Sequence, residues 1–577
     1  MAAALLTSAS SDSQTIDEAV HLSAGYSALR TGDFRLNPEH PPLIKLLSAA
    51  PLLALRLDVP TNHPSWASRD EWEFGRQLLY HNRVPAHEIL FTGRLANIVL
   101  TLLLALAITL VSRQLFGWTG AFVSLAVSAF DPTMIAHGHL VTTDIGVALF
   151  FFLSIVFFAR FLQSGRRRDQ MLFLAAFVAA QMAKFSAVIL FPTVIVLRLI
   201  WGWQHGESWR ALLRSSLKLF GQTLLATIVG ALLLYGISFQ RIGNDPRIAQ
   251  LYIDRAQIVA THTIAQQAPL TRVLIHLTDP ETTIGQKVLW IVDHGRVPLY
   301  PFFRGLAAVY SHNYGGHLSY LMGHYSNTGW WYYFLVAFVV KTPGATLVMF
   351  GMIVLLAIQF FSWRMHSATG SWLRRWLATL RALPFSAYWL VVPFLLYFGT
   401  SLTSHINLGV RHLLPVYPFL FVMLGWLAAI PFQRFRRGFH VIIISLVTMV
   451  AIESALVAPY FLAFFNSFSG GPRNGSTYLV DSNIDWGQDL DRLAKELRRR
   501  NIDEVALAYF GTAESESALP NRIHLPTSDE PDQIRSFHGV AAVSVTALLS
   551  RDRAYAWLRP LTPTTVVGYS IFVYDLR

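Results

Sequence analysis

Cysteine is absent from this 577-residue chain, and charged residues make up only 14% of it. The first absence excludes disulfides, thiolate nucleophiles and cysteine-based metal centres. The second says more about class, because a soluble chain of this size carries roughly a quarter Asp, Glu, Lys and Arg. Also missing are a phosphate-binding Gly-rich loop, a dinucleotide fingerprint and a Gly-x-Ser-x-Gly nucleophile elbow in a supporting context, which disfavours nucleotide-driven transport. No internal repeat and no low-complexity tract stands out.

What is present is apolar: 53% of residues are hydrophobic, with 40 Phe and 16 Trp. Several runs reach the roughly 20 apolar residues that a helix needs to cross a bilayer. The expectation is an α-helical polytopic membrane protein of about ten spans, near 91–112, 118–135, 141–162, 170–183, 184–203, 217–238, 343–362, 385–403, 411–430 and 439–460. The aromatic-rich stretch 330–342 reads as an interfacial helix or an extra half-span.

Orientation follows from basic residues in the short connections. Arg113, Arg166 to Arg168, Arg210, Arg214, Lys218, Arg364, Arg374, Arg375, Arg381, Arg434, Arg436 and Arg437 fall on one side. The opposite connections, around 131–140 and 404–410, carry no Lys or Arg until Arg411 opens the next helix. The basic side is assigned to the cytoplasm, so the N-terminal segment 1–90, the long loop 239–329 and the tail 461–577 face outward. The net charge of +12 is mostly accounted for by these basic loops, and no nucleic-acid partner is expected. Met1–Gln14 has neither the basic start nor the apolar core of a signal peptide, so a first transmembrane helix is expected to be missing from the sequence.

Residues 461–577 read as an extracytoplasmic α/β domain. Strands are expected at Tyr478–Val480, Val505–Tyr509 and Ser570–Tyr574, with a helix over Asp485–Arg500.

Chemistry-bearing residues cluster at the outward ends. Asp17 and Glu18, with His21 one turn on, would place carboxylate and imidazole on one helical face. A carboxylate there suits general-base work on a hydroxyl, or a divalent metal; equally, acids cap helix first turns. Glu39 and His40 precede Pro41-Pro42, a helix-start device in its own right. Asp144 sits at an outer helix start behind His137 and His139. Lys184 is an isolated cation between apolar runs, a snorkelling residue or a phosphate ligand. Asn407, Arg411 and His412 mark another outer helix end, where arginine suits phosphate recognition. Asp481 to Asp489 either cap a helix or present the Trp486 indole face to a sugar.

Taken together, Asp17-Glu18 with His21, His40 to Lys45, Thr143-Asp144, Lys184, Asn407 to Pro415 and Asp481 to Asp489 resemble the integral-membrane glycosyltransferases of the GT-C fold. The nearest group within it is the phospholipid-carrier-dependent enzymes related to protein O-mannosyltransferases and to the aminoarabinose transferases of lipid A. The resemblance implies transfer of a sugar from a polyprenyl-monophosphate carrier to a protein, lipid or glycan acceptor, in a bacterial inner membrane, with the site and tail facing the periplasm or exterior. It implies Asp17 as the catalytic carboxylate, with Glu18 and Asp144 assisting acceptor, sugar or metal. Lys184 and Arg411 would hold the donor phosphate, and Glu39, His40, Asn407 and His412 would bind substrate. Whether a divalent metal takes part is left open, with Asp17 and Asp144 as its candidate ligands. The rival readings are a flippase for lipid-linked sugars and a non-enzymatic scaffold whose outer domain binds glycans.

Overall fold

The computed structural model describes residues 1–236, 239–241, 269–294, 296–367, 370–430 and 436–577. Most of the long loop expected over 239–329 is therefore described only from 269 onward, and Arg434 lies outside the described residues.

The chain is a helical membrane protein. Among the described residues seven helices are long and apolar enough to cross a membrane, or eight if the bent pair Trp372–Arg381 and Phe385–Ser401 is one span. The expected 91–112 and 118–135 are the two arms of one element, Ala86–Phe130, interrupted at Gly117 with φ 73°. In a straight helix Ser112 and Ser124 would stand about 18 Å apart. Instead their hydroxyls share a hydrogen bond of 2.8 Å, so the element doubles back at a residue without a Cβ to oppose the left-handed turn. The segment expected to span over 170–183 forms the 17-residue helix Arg167–Ala183, packed against Asp144–Ser164 and not among the membrane-length helices. The aromatic stretch 330–342 yields the short helix Tyr333–Lys341, whose Tyr333, Phe334 and Lys341 are buried while Trp331, Leu335 and Val339 are exposed.

The helices are fastened by one continuous apolar core. Helix Tyr417–Ala429 is buried almost all round, which is why it has no polar face in the sequence. Around it pack Phe151, Phe152 and Phe158 of Asp144–Ser164, with Trp389 and Phe394 of Phe385–Ser401.

The tail ends in a five-stranded sheet of β1 (Val505–Ala508), β2 (Arg522–His524), β3 (Val540–Ser544), β4 (Thr565–Val567) and β5 (Ile571–Asp575). Their order is β2-β1-β3-β5-β4, with β1 parallel to β2 and β3, and β5 antiparallel to β3 and β4. The two-residue period divides the central strand: Val540 and Ala542 meet Leu490, Leu493 and Leu497 of helix Leu490–Arg499, while Ala541 and Val543 meet Leu525, Leu548 and Leu558. The strand expected at Tyr478–Val480 is not formed; Leu479 and Val480 are buried in an irregular stretch before the 3-10 turn Asp481–Asn483.

That irregular stretch ties the tail to the beginning of the chain. Ser13 and Ile16 donate their backbone N–H groups to the carbonyls of Gln488 and Trp486, at 2.9 and 3.1 Å. Arg492 pairs with Asp12, and His139 reaches the same carboxylate at 2.9 Å. Residues 481–489 are thus built into one end of the bundle, and the sheet beyond stands as a separate layer.

Candidate active site

Four helix ends meet at one cavity of about 950 Å³. Asp17 is the residue before helix Glu18–Thr31, and Asp144 is the first residue of Asp144–Ser164, where a carboxylate favours the positive end of the helix dipole. Lys184 occupies an extended break (φ −156°, ψ 139°) between helix Arg167–Ala183 and the next 3-10 turn. Arg411 sits in the 3-10 turn Val410–Val416 that leads into Tyr417–Ala429.

These four side chains form a line of alternating charge. Arg411 Nη1 lies 2.8 Å from Asp17 Oδ2 and 3.7 Å from Asp144 Oδ2, and Lys184 Nζ lies 2.5 Å from Asp144 Oδ1. Asp144 is buried and Asp17 is partly open to the cavity. The Arg411 guanidinium carbon stands 4.2 Å from the ring centroid of Trp486, itself 1% exposed. Trp486 also lines the cavity, and one face of its indole backs the arginine.

Glu39, His40, Asn407 and His412 line the same cavity. Glu39 approaches His312 at 3.5 Å, and this carboxylate raises the His312 pKa. The His21 and His40 rings are 5.0 Å apart; burial depresses His21 to about 4 and His40 well below its usual value, so both are neutral imidazoles at neutral pH. Asn407 accepts the Trp330 N–H at 2.7 Å and donates to the Ser404 carbonyl at 3.1 Å, which fixes the loop before Arg411. The ring of His412 stacks on Phe334 at 6.2 Å.

Glu18 is placed differently. It is fully buried outside the cavity, bound through both oxygens by Arg94 at 2.8 and 2.6 Å, and it accepts the N–H groups of Thr15 (2.9 Å) and Val141 (3.0 Å). Burial alone would raise its pKa, but the Arg94 guanidinium and these donors hold it below the usual value. Glu18 therefore does not line the cavity beside Asp17; its oxygens are engaged by Arg94 and two backbone donors. Arg94 was the residue sequence reasoning passed over. Its signal was an arginine inside an apolar helix, where charge needs a partner.

The tail contributes Asp481, which lines the cavity at φ +58° and whose carboxylate accepts the N–H of Ser482. Burial pushes this carboxyl up to about 6. It does not cap helix Leu490–Arg499, which begins nine residues later and has no side-chain cap.

A divalent ion at Asp17 and Asp144 does not fit this donor set as it stands. Both carboxylates already face the Arg411 cation, and among the described residues no three His, Asp or Glu side chains gather as metal ligands.

Residues 87–235 match the family model of the dolichyl-phosphate-mannose-protein mannosyltransferases. No curated protein matches the chain. Among solved structures, the chain is similar to ArnT from Cupriavidus metallidurans bound to undecaprenyl phosphate, at 13% identity and TM-score 0.42, covering 99% of this chain and 95% of that one. The apo state of the same ArnT gives 13% identity, TM-score 0.41 and the same coverage of 99% and 95%. The protein is an integral membrane protein, and the family match is confined to residues 87–235.

Proposed function

We propose that this protein transfers a sugar from a polyprenyl-monophosphate carrier to an acceptor hydroxyl at the extracytoplasmic face of the membrane. The observation that carries the reading is the Asp17–Arg411–Asp144–Lys184 line in a cavity whose wall also holds Val188, Ile189 and Leu306. Two carboxylates and two cations cancel along this line. A donor phosphate diester brings one negative charge, and the departing polyprenyl phosphate gains a second as the anomeric C–O bond breaks.

Lys184 and Arg411 turn toward that phosphate, and their attraction grows as the charge develops; preorganised charges in a site shielded from water do this better than solvent. Arg411 swinging to the phosphate releases Asp17. The acceptor oxygen attacks the anomeric carbon, the C–O bonding pair leaves with the phosphate, and the acceptor proton passes to Asp17, help worth about 10²–10⁴ in rate. Asp144 keeps Lys184 aimed, and the neutral His21 and His40 offer hydrogen bonds to sugar hydroxyls.

Orientation rests on the helix ends. Helix Asp144–Ser164 begins at the cavity and runs into Arg166–Arg168, and Gly344–Ser367 ends among Arg364 and the arginines of Trp372–Arg381. Short basic connections stay cytoplasmic, so the cavity faces outward. The test is transfer of label from polyprenyl-phosphate sugars in membranes holding the protein. Label reaching an acceptor, and failing to in Asp17→Asn, supports the reading. Label that crosses the bilayer still on its carrier in both proteins overturns it in favour of a flippase.

A further inference from the structure

The end of the bundle away from the cavity carries a helix that sugar transfer leaves without a role. Trp372–Arg381 reads WLRRWLATLR. At about 100° per residue, Trp372, Leu373, Trp376, Leu377 and Leu380 fall on one arc, and Arg374, Arg375, Thr379 and Arg381 on the other. The apolar arc is open: Trp372 is 64% exposed, Leu373 55%, Trp376 39% and Leu377 40%. The two indoles stack at 6.2 Å, forming a flat aromatic patch.

The helix is firmly held in that attitude. It is bent by 100° from Phe385–Ser401, so when that helix crosses a bilayer Trp372–Arg381 lies close to the membrane plane. Arg375 donates to the Met365 carbonyl at 2.7 Å, and Gln204 donates to the Leu383 carbonyl at 2.8 Å, pinning it to the ends of two membrane-length helices. Its polar arc shares this end of the molecule with Arg166–Arg168, Arg210 and Arg364.

We propose that Trp372–Arg381 is an interfacial helix that beds its Trp-Leu arc at the boundary between acyl chains and headgroups of an anionic leaflet, with Arg374 reaching the lipid phosphates. Indoles prefer that depth, and an amphipathic helix lying in the plane buries one face while keeping the other wet. Charge complementarity selects the occupant, because exposed arginines beside an apolar arc match an anionic lipid surface, whereas a second copy of this chain would bring like charges together. The inference does not depend on the chemistry in the cavity.

The cysteine-free chain makes the test clean. Single cysteines at Leu373→Cys, Trp376→Cys and Ala378→Cys, each carrying a polarity-sensitive fluorophore, are compared in the full protein in nanodiscs of phosphatidylcholine with or without phosphatidylglycerol. The labels at 373 and 376 should report an apolar setting and the one at 378 water. Adding Arg374→Gln should shift the emission of the labels at 373 and 376 toward its value in water in anionic discs only. All three labels reporting water overturns the proposal. So does disulfide formation between Leu373→Cys chains that protects the arc equally in both lipids, since a second copy would then be the occupant.

Discussion

The guanidinium of Arg411 is set over the indole of Trp486, 4.2 Å from the ring centroid, while its Nη1 bonds Asp17 at 2.8 Å. One side chain thus links a residue near the start of the chain, a helix of the bundle and the tail. A lysine carries the charge but neither the planar fork nor the stacking. Arg411→Lys should lower turnover on a labelled donor by about 10²–10³, the cost of losing one preorganised charge-stabilising group. Trp486→Phe should retain more activity than Trp486→Leu, because a phenyl ring still attracts a cation where an aliphatic chain cannot.

Asp17→Asn separates binding from chemistry. The amide cannot take the acceptor proton, so kcat should fall by about 10²–10⁴. It also loosens its hold on Arg411, which is then free for phosphate, so donor affinity should be unchanged or improved. Steady-state kinetics with separate donor-binding measurements check both halves; a raised donor Kd with normal kcat would place Asp17 in binding rather than in proton transfer.

Glu18→Gln should act on stability first. It leaves the buried Arg94 without its counter-charge, and breaking one partner of a buried pair costs about 3–5 kcal/mol. Because the folded carboxyl lies below its unfolded value, the stabilisation from Glu18 is complete above the unfolded pKa of about 4.3 and is lost as pH falls through the folded value. A large drop in Tm at neutral pH in detergent, with less difference between variant and parent in strong acid, is the expected result.

Asp481 supplies a pH dependence. Its carboxyl, pushed up by burial to about 6, is ionised at pH 7.5 and competes with donor phosphate for Arg411. Donor KM should fall as pH drops through about 6, and Asp481→Asn should hold the low value throughout. His21, depressed to about 4, stays neutral across this window and adds no slope. A KM profile identical in the variant would remove Asp481 from the site's electrostatics.

The membrane class, and the charged residues that meet at the cavity, were legible in the sequence because their signals are local. Apolar length marks a membrane helix wherever it occurs, and Asp144, Lys184 and Arg411 stood out as charges at the ends of such runs. Partnership was harder to see. Nothing near Glu18 announces that Arg94, on another helix, closes its carboxylate, so the Asp17-Glu18 pair looked like one functional unit when only Asp17 faces the cavity. Tyr478–Val480 failed for a related reason. Its apolar character comes from burial in an irregular connection, and three residues cannot distinguish that from a strand's alternation. The break at Gly117 separated two expected spans correctly, yet only the Ser112–Ser124 bond reveals that the arms return alongside one another.

Placing Trp486 within the tail has a consequence for biogenesis. A ribosome delivers Asp17 early and Arg411 much later, and at that moment both charges are present without the ring that orients the arginine. Only after the last helix and the stretch that follows it have been made does residue 486 arrive to complete the arrangement. Synthesis halted just past the final span would leave a bundle holding every charge of the line and lacking its brace. Completion of the Arg411–Trp486 contact is therefore timed by the docking of the tail onto the finished bundle.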